Sequence, residues 1–321
     1  MAIPADVRTF LAAGELAKPS ARDTTVRTAA LVGSYAALLA VAFSTHNVVA
    51  WVAAWVWGGF VFSSAFAAMH EALHGSLYRA GWVNDLAGIL WGLPILNPYA
   101  AYRASHLQHH AATHSETDSE PMVIIKGVGG YVATFPLVVL GFNALLMASL
   151  VGMISGHPPS YAKRARRRHL ELANAAAFVA FFALVVVAWR WNWHVVAEVW
   201  LIPLAISYFA ASAFATPEHY GCHYAPAPVF QTTRTTTSNA VVRFLLWNAN
   251  YHTAHHLAPS VTGRNLPKLD QQIAERCEFR ERSYSGYHRK LIGELLRGEI
   301  AESPPWADPP RVSGDRARTT R

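Results

Sequence analysis

Residues 28–44 read TAALVGSYAALLAVAFS and residues 48–69 read VVAWVAAWVWGGFVFSSAFAAM, and neither stretch contains a charged side chain. A helix rises 1.5 Å per residue and the hydrocarbon core of a bilayer is about 30 Å thick, so about 20 apolar residues cross it. Only a few polar residues separate the two stretches. They therefore predict two membrane-spanning helices joined by a short turn.

A second pair of apolar stretches lies later in the chain, at 170–189 and 193–215, and leaves room only for another tight turn. The tryptophans around this turn suit the membrane–water interface, where amphipathic rings are enriched. They are Trp189, Trp191 and Trp193. The predicted fold class is an all-α integral membrane protein with two transmembrane helical hairpins, hence four spans, and a cytoplasmic helical cap that carries the histidines.

The stretch 130–154 is also long and apolar, but Pro136, Gly141 and Asn143 interrupt it. It lies between two hairpins whose inner ends should face the same side of the membrane. A single crossing here would break that arrangement. We therefore expect a re-entrant or interfacial helical segment rather than a fifth span.

A run of basic residues immediately precedes the third predicted span. Its members are Lys163, Arg164, Arg166, Arg167 and Arg168. The positive-inside rule marks this side as cytoplasmic, which places both chain ends there and predicts a bacterial inner membrane as the location. Attraction of an acidic electron carrier and contact with anionic lipid headgroups are two further interpretations of the same run.

The composition agrees with a chain that is partly in a membrane and partly in water. Of the 321 residues, 52% are hydrophobic and 15% are charged, whereas about a quarter are charged in ordinary soluble domains. Cys222 and Cys277 are too few for a disulfide scaffold, and the apolar content excludes a disordered chain. We expect an N-terminal cytoplasmic segment (1–27), a membrane domain (28–285) and a partly disordered cytoplasmic tail (286–321).

Histidine is the other unusual feature, because the chain has 16 and most of them stand in four clusters. The clusters are HEALHG with His70 and His74, HLQHH with His106, His109 and His110, EHYGCH with His219 and His223, and HTAHH with His252, His255 and His256. On a helix, residues three and four apart share one face, so each cluster directs its imidazoles toward one region. The predicted topology brings all four clusters to one face of the membrane.

So many imidazoles exceed one coordination sphere and imply two metal ions. Imidazole suits iron, zinc, copper and nickel alike, but structural zinc sites generally include cysteine, and soluble di-iron proteins use carboxylates. A redox-active, open dimetal site is the favoured inference. The predicted ligands are His70, His74, His106, His109, His110, His223, His252, His255 and His256, with His219 and His114 as additional candidates. The candidates to orient these rings are Glu71, Asp85, Asp118, Glu218, Asn248 and Asn250.

The motifs HEALHG, HLQHH and NYHTAHH, together with two membrane hairpins, resemble those of the membrane fatty acid desaturase superfamily. This superfamily also includes carotenoid ketolases and acyl-chain hydroxylases. The resemblance covers about residues 28–285, and residues 250–269 (NYHTAHHLAPSVTGRNLPKL) are similar to the third-box region of acyl-lipid desaturases. In related enzymes a further histidine from the last span completes the ligand set, and His223 occupies a comparable position.

The resemblance implies a non-haem centre of two iron ions that uses O2 as co-substrate and abstracts hydrogen from an unactivated C–H bond. It implies a fatty acyl (lipid) desaturase, with no catalytic residues beyond the metal ligands. Because the chain has no haem, flavin or nicotinamide motif, a separate carrier such as a ferredoxin is expected to supply electrons. No nucleic-acid partner is expected.

Two alternatives stay open. A hydroxylase or ketolase of the same superfamily would act on a carotenoid, a fatty chain or a small metabolite, and the product depends on substrate placement at sub-ångström scale. A zinc-dependent membrane hydrolase or a metal transporter is the alternative from a different class. A transporter would place ionisable residues within its spans, and these spans have almost none.

Overall fold

The computed structural model describes residues 3–120, 123–163 and 165–306, which are mostly helical, as the sequence predicts. In chain order the helices are α1 (Ala5–Ala13), α2 (Ala21–Thr45), α3 (Val48–Leu73), α4 (Gly81–Gly92), α5 (Tyr99–Ala112), α6 (Gly127–Ser155), α7 (Arg168–Val196), α8 (Ile202–His219), α9 (Val229–Thr232), α10 (Ala240–Leu245), α11 (His252–Leu257), α12 (Leu266–Ile273) and α13 (Tyr284–Leu296). Two short strands, β1 (Arg234–Thr236) and β2 (Phe279–Glu281), pair in parallel, with Arg234 opposite Phe279.

Four helical segments within the described ranges are long and apolar enough to cross a membrane. They are Ala21–Thr45, Val48–Leu73, Gly127–Ser155 and Arg168–His219. The predicted spans 28–44 and 48–69 lie within the first two segments, and 170–189 and 193–215 both lie within the last. The sequence also predicts four spans, but it counts 170–189 and 193–215 separately and treats 130–154 as interfacial. The structure has one segment over 168–219 and adds 127–155 as a segment long and apolar enough to cross.

Local backbone chemistry builds the turn between α2 and α3. His46 ends α2 in the left-handed region, with φ at 51°. The Asn47 side chain then accepts the backbone N–H of Val49 at 2.8 Å and caps the start of α3. The two helices return alongside each other, so that the ring centroids of Phe43 and Trp51 are 4.7 Å apart.

A second reversal lies inside the segment 168–219. Asn192 departs from helical geometry (φ −159°, ψ 98°), and its side chain accepts the backbone N–H of His194 at 3.0 Å. The ring centroids of Phe181 and Trp200 are only 5.3 Å apart, whereas a straight helix rising 1.5 Å per residue would hold these residues about 28 Å apart. The chain therefore turns back at Asn192, between the two predicted spans.

Helix α6 corrects one expectation from the sequence, because it does not fold back on itself. It is one continuous helix of 29 residues with Pro136 inside it. Asn143 does not break the helix, because its amide binds outside it, donating to the carbonyl of Ile95 at 2.9 Å and accepting from Asn97 at 3.0 Å. An asparagine that satisfies its side chain elsewhere does not compete for the helix backbone.

The basic run before α7 is engaged within the protein. Glu171 is fully buried and accepts from Arg166 at 2.9 Å, and Arg168 lies 3.7 Å from the same carboxylate. Arg167 pairs with Asp85 at 2.9 Å. These arginines therefore anchor the start of α7 to its surroundings, in addition to any role in membrane orientation.

The C-terminal part of the described chain contacts α3 through Ser64, which donates to the Leu245 carbonyl, and through Glu71, which accepts the backbone N–H of Gly263. Leu266, Leu269 and Ile273 on α12 are fully buried. The predicted tail begins inside helix α13, and its final residues, 307–321, lie outside the described ranges.

The packing of α3 against α8 depends on Gly59. A Cβ at this position would lie 2.4 Å from Cγ2 of Ile206, whereas a Cβ at Gly33 on α2 would meet nothing within 4 Å. We expect Gly59→Ala to lower the free energy of unfolding by about 1–3 kcal/mol, because overpacking forces neighbouring atoms apart. Thermal unfolding in detergent measures this effect as a lower Tm. Gly33→Ala is the control and should leave Tm unchanged or raise it slightly, because alanine favours a helix more than glycine does. Equal Tm values for the two variants would contradict this packing.

Candidate metal centre

Five histidines from three helices form the first group of metal-binding side chains. His70 lies in the last turn of α3 and His74 directly follows its last residue, His106 and His110 lie on α5, and His255 lies on α11. One ring nitrogen from each lies within 4.8 Å of every other. The closest pairs join Nε2 of His110 to Nε2 of His106 at 2.9 Å and to Nε2 of His255 at 3.0 Å.

A second group lies directly beside the first. His109, His219 and His256 bring their ring nitrogens within 4.8 Å of one another. The Nε2 atom of His219 is 3.1 Å from Nε2 of His109 and 2.8 Å from Nε2 of His252, so His252 also reaches this group. The rings of His110 and His256 stack with centroids 4.2 Å apart and thereby join the two groups.

Single helices supply rings to both groups. On α5, His106 and His110 are four residues apart and face the first group, while His109 faces the second. On α11, His255 belongs to the first group and His256 to the second. Because α5 and α11 each carry rings of both groups, helix geometry sets the distance between the groups, and no flexible loop does.

The structure brings His219 into the second group and leaves His223 outside both. Helix α8 ends at His219, Tyr220 is extended and Gly221 has a φ of 74°, so the chain turns away. The side chain of His223 is 54% exposed, and its Nε2 is 2.8 Å from a carboxylate oxygen of Glu278. A spacing of four residues predicts a shared face only while the helix continues, and here it does not.

Hydrogen bonds to the outer nitrogens hold three of the rings in place. The Nδ1 atoms of His109, His106 and His219 bind, respectively, the Asp118 carboxylate at 2.8 Å, the Glu120 carboxylate at 2.8 Å and the Thr232 carbonyl at 3.0 Å. Asp118 also accepts the backbone N–H of Glu120 at 2.9 Å, which fixes the second carboxylate. Such outer partners orient metal-binding imidazoles and raise their basicity.

Two of these partners, Glu120 and the Thr232 carbonyl, are not predicted from the sequence. Glu120 ends the acidic stretch SETDSE that follows the second histidine cluster. A search for carboxylates just after that cluster finds it together with Asp118. The Thr232 carbonyl has no sequence signal, because every residue carries a backbone carbonyl.

Two predicted orienting residues approach the histidines without a hydrogen bond to them. Glu71 Oε1 is 3.8 Å from Nδ1 of His70, and its other oxygen accepts the backbone N–H of Gly263 at 2.9 Å. Glu218 Oε1 is 3.6 Å from Nδ1 of His252. Both carboxylates therefore lie at the edge of the site.

Three other predicted orienting residues have their hydrogen bonds elsewhere. Asp85 pairs with Arg167 at 2.9 Å, Asn248 donates to the Gly263 carbonyl at 3.0 Å, and Asn250 donates to the Thr236 carbonyl at 2.8 Å. Cys222 is buried, as expected of a packing residue, and belongs to neither histidine group.

The electrostatics of the site keep most of its rings neutral. Burial, reinforced by neighbouring imidazoles, holds the pKa of His106, His110, His255 and His256 well below its usual range. A neutral ring keeps a lone pair for a metal ion. Burial opposes the charged form of His109 as well, but the Glu120 and Asp118 carboxylates outweigh it and raise the pKa of that imidazole.

Unpartnered nitrogens inside the site test whether metal ions fit it. Nε2 of His74 and Nε2 of His256 are buried with no hydrogen-bond partner among the described residues. The Nε2 atoms of His110, His252 and His255 lie within 3.0 Å of other imidazole nitrogens. A buried polar atom left without a partner costs about 1–3 kcal/mol, so native proteins rarely leave several together. A donor set of neutral imidazoles with open lone pairs fits two adjacent metal ions.

Long apolar helices together with two adjacent groups of buried imidazoles define a class, the helical membrane proteins with a histidine-rich site that could bind metal ions. The model of one family, described as fatty acid desaturase, matches residues 8–288. The chain belongs to the fatty acid desaturase family.

Several curated relatives are similar to this chain at low identity. The sn-1 oleoyl-lipid 12-desaturase of Synechocystis sp. is 26% identical over 235 residues, which cover 66% of this chain and 65% of that protein. The chloroplastic omega-6 fatty acid desaturase of Brassica napus is 25% identical over 256 residues, covering 69% and 53%. The Delta(12) fatty acid desaturase of Caenorhabditis elegans is 44% identical over 66 residues, covering 20% and 18%. The chain thus spans less than two thirds of the length of these relatives.

Asp118 offers a test of the site through its outer hydrogen bonds. We expect Asp118→Asn to weaken metal binding about 10–100-fold, because the ring of His109 loses its charged acceptor. Titration of the metal-free protein with Fe2+ measures the affinity. Asp85→Asn is the matched control, since Asp85 contacts no histidine of either group, and it should bind like the wild type. Equal losses in the two variants would show that Asp118 acts through general stability.

Proposed function

We propose that the protein is an O2-dependent membrane oxidoreductase, specifically a fatty acyl (lipid) desaturase. The observation that carries this proposal is the convergence of buried imidazoles into two adjacent groups, which in the described residues include no thiolate or carboxylate. Membership of the fatty acid desaturase family supports the reaction class. The names of the relatives, which include two lipid or fatty acid 12-desaturases, support an acyl chain as substrate.

The two groups suggest one ligand set for each iron ion. His70, His74, His106, His110 and His255 would hold the first ion, and His109, His219, His252 and His256 the second. Compared with the ligands predicted from the sequence, this set includes His219 and omits His223. Two irons held here would supply the activation of O2 and the removal of hydrogen from an unactivated C–H bond.

The protein's own part in such a reaction is to hold the rings still and keep water out. Asp118 and Glu120 each bind the outer nitrogen of one ring, which leaves the inner nitrogen directed into the site. His106, His109 and His255 are almost completely buried. A site excluded from water strengthens electrostatic interactions and suppresses side reactions.

A small apolar recess of about 10 Å³ lies near the first group. It lies between α3, α6 and α8 and is lined by Phe62, Ser63, Phe66, Ile95, Val139, Asn143, Ser207, Tyr208 and Ala211. Phe66 contacts the ring of Tyr102 at 5.1 Å, and Tyr102 contacts the ring of His106 at 5.2 Å. One aromatic layer therefore separates the recess from the histidines. A volume of this size holds about one water molecule and no acyl chain, so these side chains would have to move to admit a substrate.

The contacts of α6 support the interfacial position that the sequence predicts, although this helix is long and apolar enough to cross a membrane. Eight residues after the first residue of α6, the Phe135 carbonyl accepts from Ser212, which lies seven residues before the histidine end of α8. Near the end of α6, the Met153 carbonyl accepts from Arg166, just before α7. Because the chain turns back at Asn192, both contacts lie on one side of the bundle, as expected for a helix along the interface.

The proposed orientation places the histidines and both chain ends in the cytoplasm of a bacterium, by the positive-inside rule. A separate carrier such as a ferredoxin would then supply electrons from that side. The basic run before α7 is a weak docking surface for such a carrier, because Arg166 and Arg167 are already paired with Glu171 and Asp85.

Expression in a bacterial host tests the proposed reaction. Gas chromatography–mass spectrometry of the host lipids should reveal fatty acids with an additional double bond, and the purified protein should contain two irons per chain. His255→Ala should abolish the new product because it removes a ring of the first group. His157→Ala, at an exposed histidine, is the matched control and should keep full activity.

The same experiment separates the alternatives. Oxygenated lipids, carotenoids or small metabolites in place of new double bonds would favour a hydroxylase or ketolase. Bound zinc without iron and without O2 consumption would favour a hydrolase or transporter. Either result would overturn the desaturase proposal.

Cysteine labelling tests the orientation. In a background with Cys222 and Cys277 replaced by serine, a cysteine at Thr45 should react with a membrane-impermeant maleimide in intact cells. Cysteines at Gly129 and Ser155, exposed positions near the two ends of α6, should react only after the membrane is opened. Labelling of either α6 position from outside would mean that this helix crosses the membrane.

A further inference from the structure

His114 is a buried histidine that belongs to neither group. It lies two residues beyond α5, is 4% exposed and has a φ of 55°, in the left-handed region that disfavours side chains. Its backbone N–H donates to one oxygen of Asp118 at 2.7 Å, and the other oxygen of Asp118 binds Nδ1 of His109 at 2.8 Å. One carboxylate therefore fixes the backbone of His114 and a ring of the second group together.

The hydrogen bond of the His114 ring defines the state of its nitrogens. Nδ1 is 2.8 Å from the backbone carbonyl oxygen of His223. Because a carbonyl only accepts, Nδ1 carries the proton, and Nε2 of the neutral ring has a free lone pair. Nε2 is buried and has no hydrogen-bond partner in the part of the chain that the structure describes. A buried acceptor of this kind calls for a water molecule or an ion beside it.

The neighbours of His114 place it at the flank of the second group. Its ring centroid is 5.1 Å from that of His219, and on another side it stacks on Tyr224 with centroids 5.2 Å apart. The ring nitrogens of His109, His219 and His256 lie within 4.8 Å of one another, and no nitrogen of His114 belongs to that set. This separation favours contact through a water molecule over direct binding to a metal ion.

The numbers of rings in the two groups also favour a water molecule between His114 and the second group. Five imidazoles form the first group, whereas three form the second and His252 adds a fourth. The second group is therefore the more open of the two. A metal ion bound there has room for a water ligand, and such a water needs hydrogen-bond acceptors from the protein.

We propose that His114 is a positioning residue of the second metal site, whose Nε2 accepts a hydrogen bond from a water molecule bound to that metal. The proposal rests on the proposed di-iron function. His223 takes part only through its backbone carbonyl, which holds the His114 ring, and not through its imidazole. His223, which the sequence predicts as a ligand, would thus support the site indirectly, because its carbonyl holds the ring of His114.

The test compares His114→Phe with His223→Ala in the full-length protein. Phenylalanine keeps a flat ring against Tyr224 but cannot accept a hydrogen bond, whereas alanine at position 223 keeps the backbone carbonyl. We expect His114→Phe to bind the second iron about 10–100-fold more weakly, as when other outer partners of metal ligands are lost. The Mössbauer signal of one of the two irons should also change. His223→Ala should match the wild type in affinity and spectrum.

His114→Gln provides a rescue, because its amide can present an oxygen acceptor near the position of Nε2. Recovery of the second-iron affinity and of the wild-type spectrum in His114→Gln supports the proposal, including in the case where His114→Phe fails to fold. A His114→Phe protein with wild-type affinity and spectrum would overturn it. So would a His114→Gln protein with affinity and spectrum as impaired as in His114→Phe, or a His223→Ala protein that loses the second iron.

The iron content of the wild-type protein distinguishes a failure of the proposed function from a failure of the proposed role of His114. If the wild-type protein binds no pair of irons, the proposed function fails and the role of His114 fails with it. If the wild type binds two irons and His114→Phe is unaltered, only the inference about His114 fails.

Discussion

Nε2 of His219 stands 2.8 Å from Nε2 of His252 and 3.1 Å from Nε2 of His109. Two ring nitrogens at such distances repel each other unless a proton or a metal ion lies between their lone pairs. The close approach of these rings therefore requires a shared proton in the metal-free protein or a bound metal ion, and the fold holds the rings where either can lie between them. It does so from outside, through acceptors such as Asp118 that bind the outer nitrogens.

The segment around the fourth histidine cluster is joined to α3 by buried hydrogen bonds. Ser64 on α3 donates to the carbonyl of Leu245 at 2.6 Å, and Glu71 accepts the backbone N–H of Gly263 at 2.9 Å. Gly263 is required there, because a Cβ would lie 2.2 Å from the carbonyl oxygen of Trp247. These contacts bring the fourth histidine cluster, His252, His255 and His256, onto the end of α3 and so bring distant parts of the chain into one site.

Much of the fold could be predicted from hydropathy, because a membrane imposes length and apolarity directly on the chain. The spans 28–44 and 48–69 lie within α2 and α3, and the chain turns back at Asn192 where the sequence shows a break. Helix α6 was less predictable. Whether Pro136 or Asn143 interrupts a helix depends on partners outside it, and Asn143 finds its partners in the loop before α5.

The sequence by itself determined that this protein has long apolar helices and clusters of histidines at helical spacing, since both follow from local periodicity. Only the tertiary structure decided how the rings divide into two groups and that His219 joins them in place of His223. The physical reason is the end of α8: periodicity holds within a helix, but the direction of the chain beyond its last turn depends on contacts made elsewhere. The same holds for Glu120, Thr232 and the unpartnered nitrogen of His114, whose surroundings come from segments far apart in the chain.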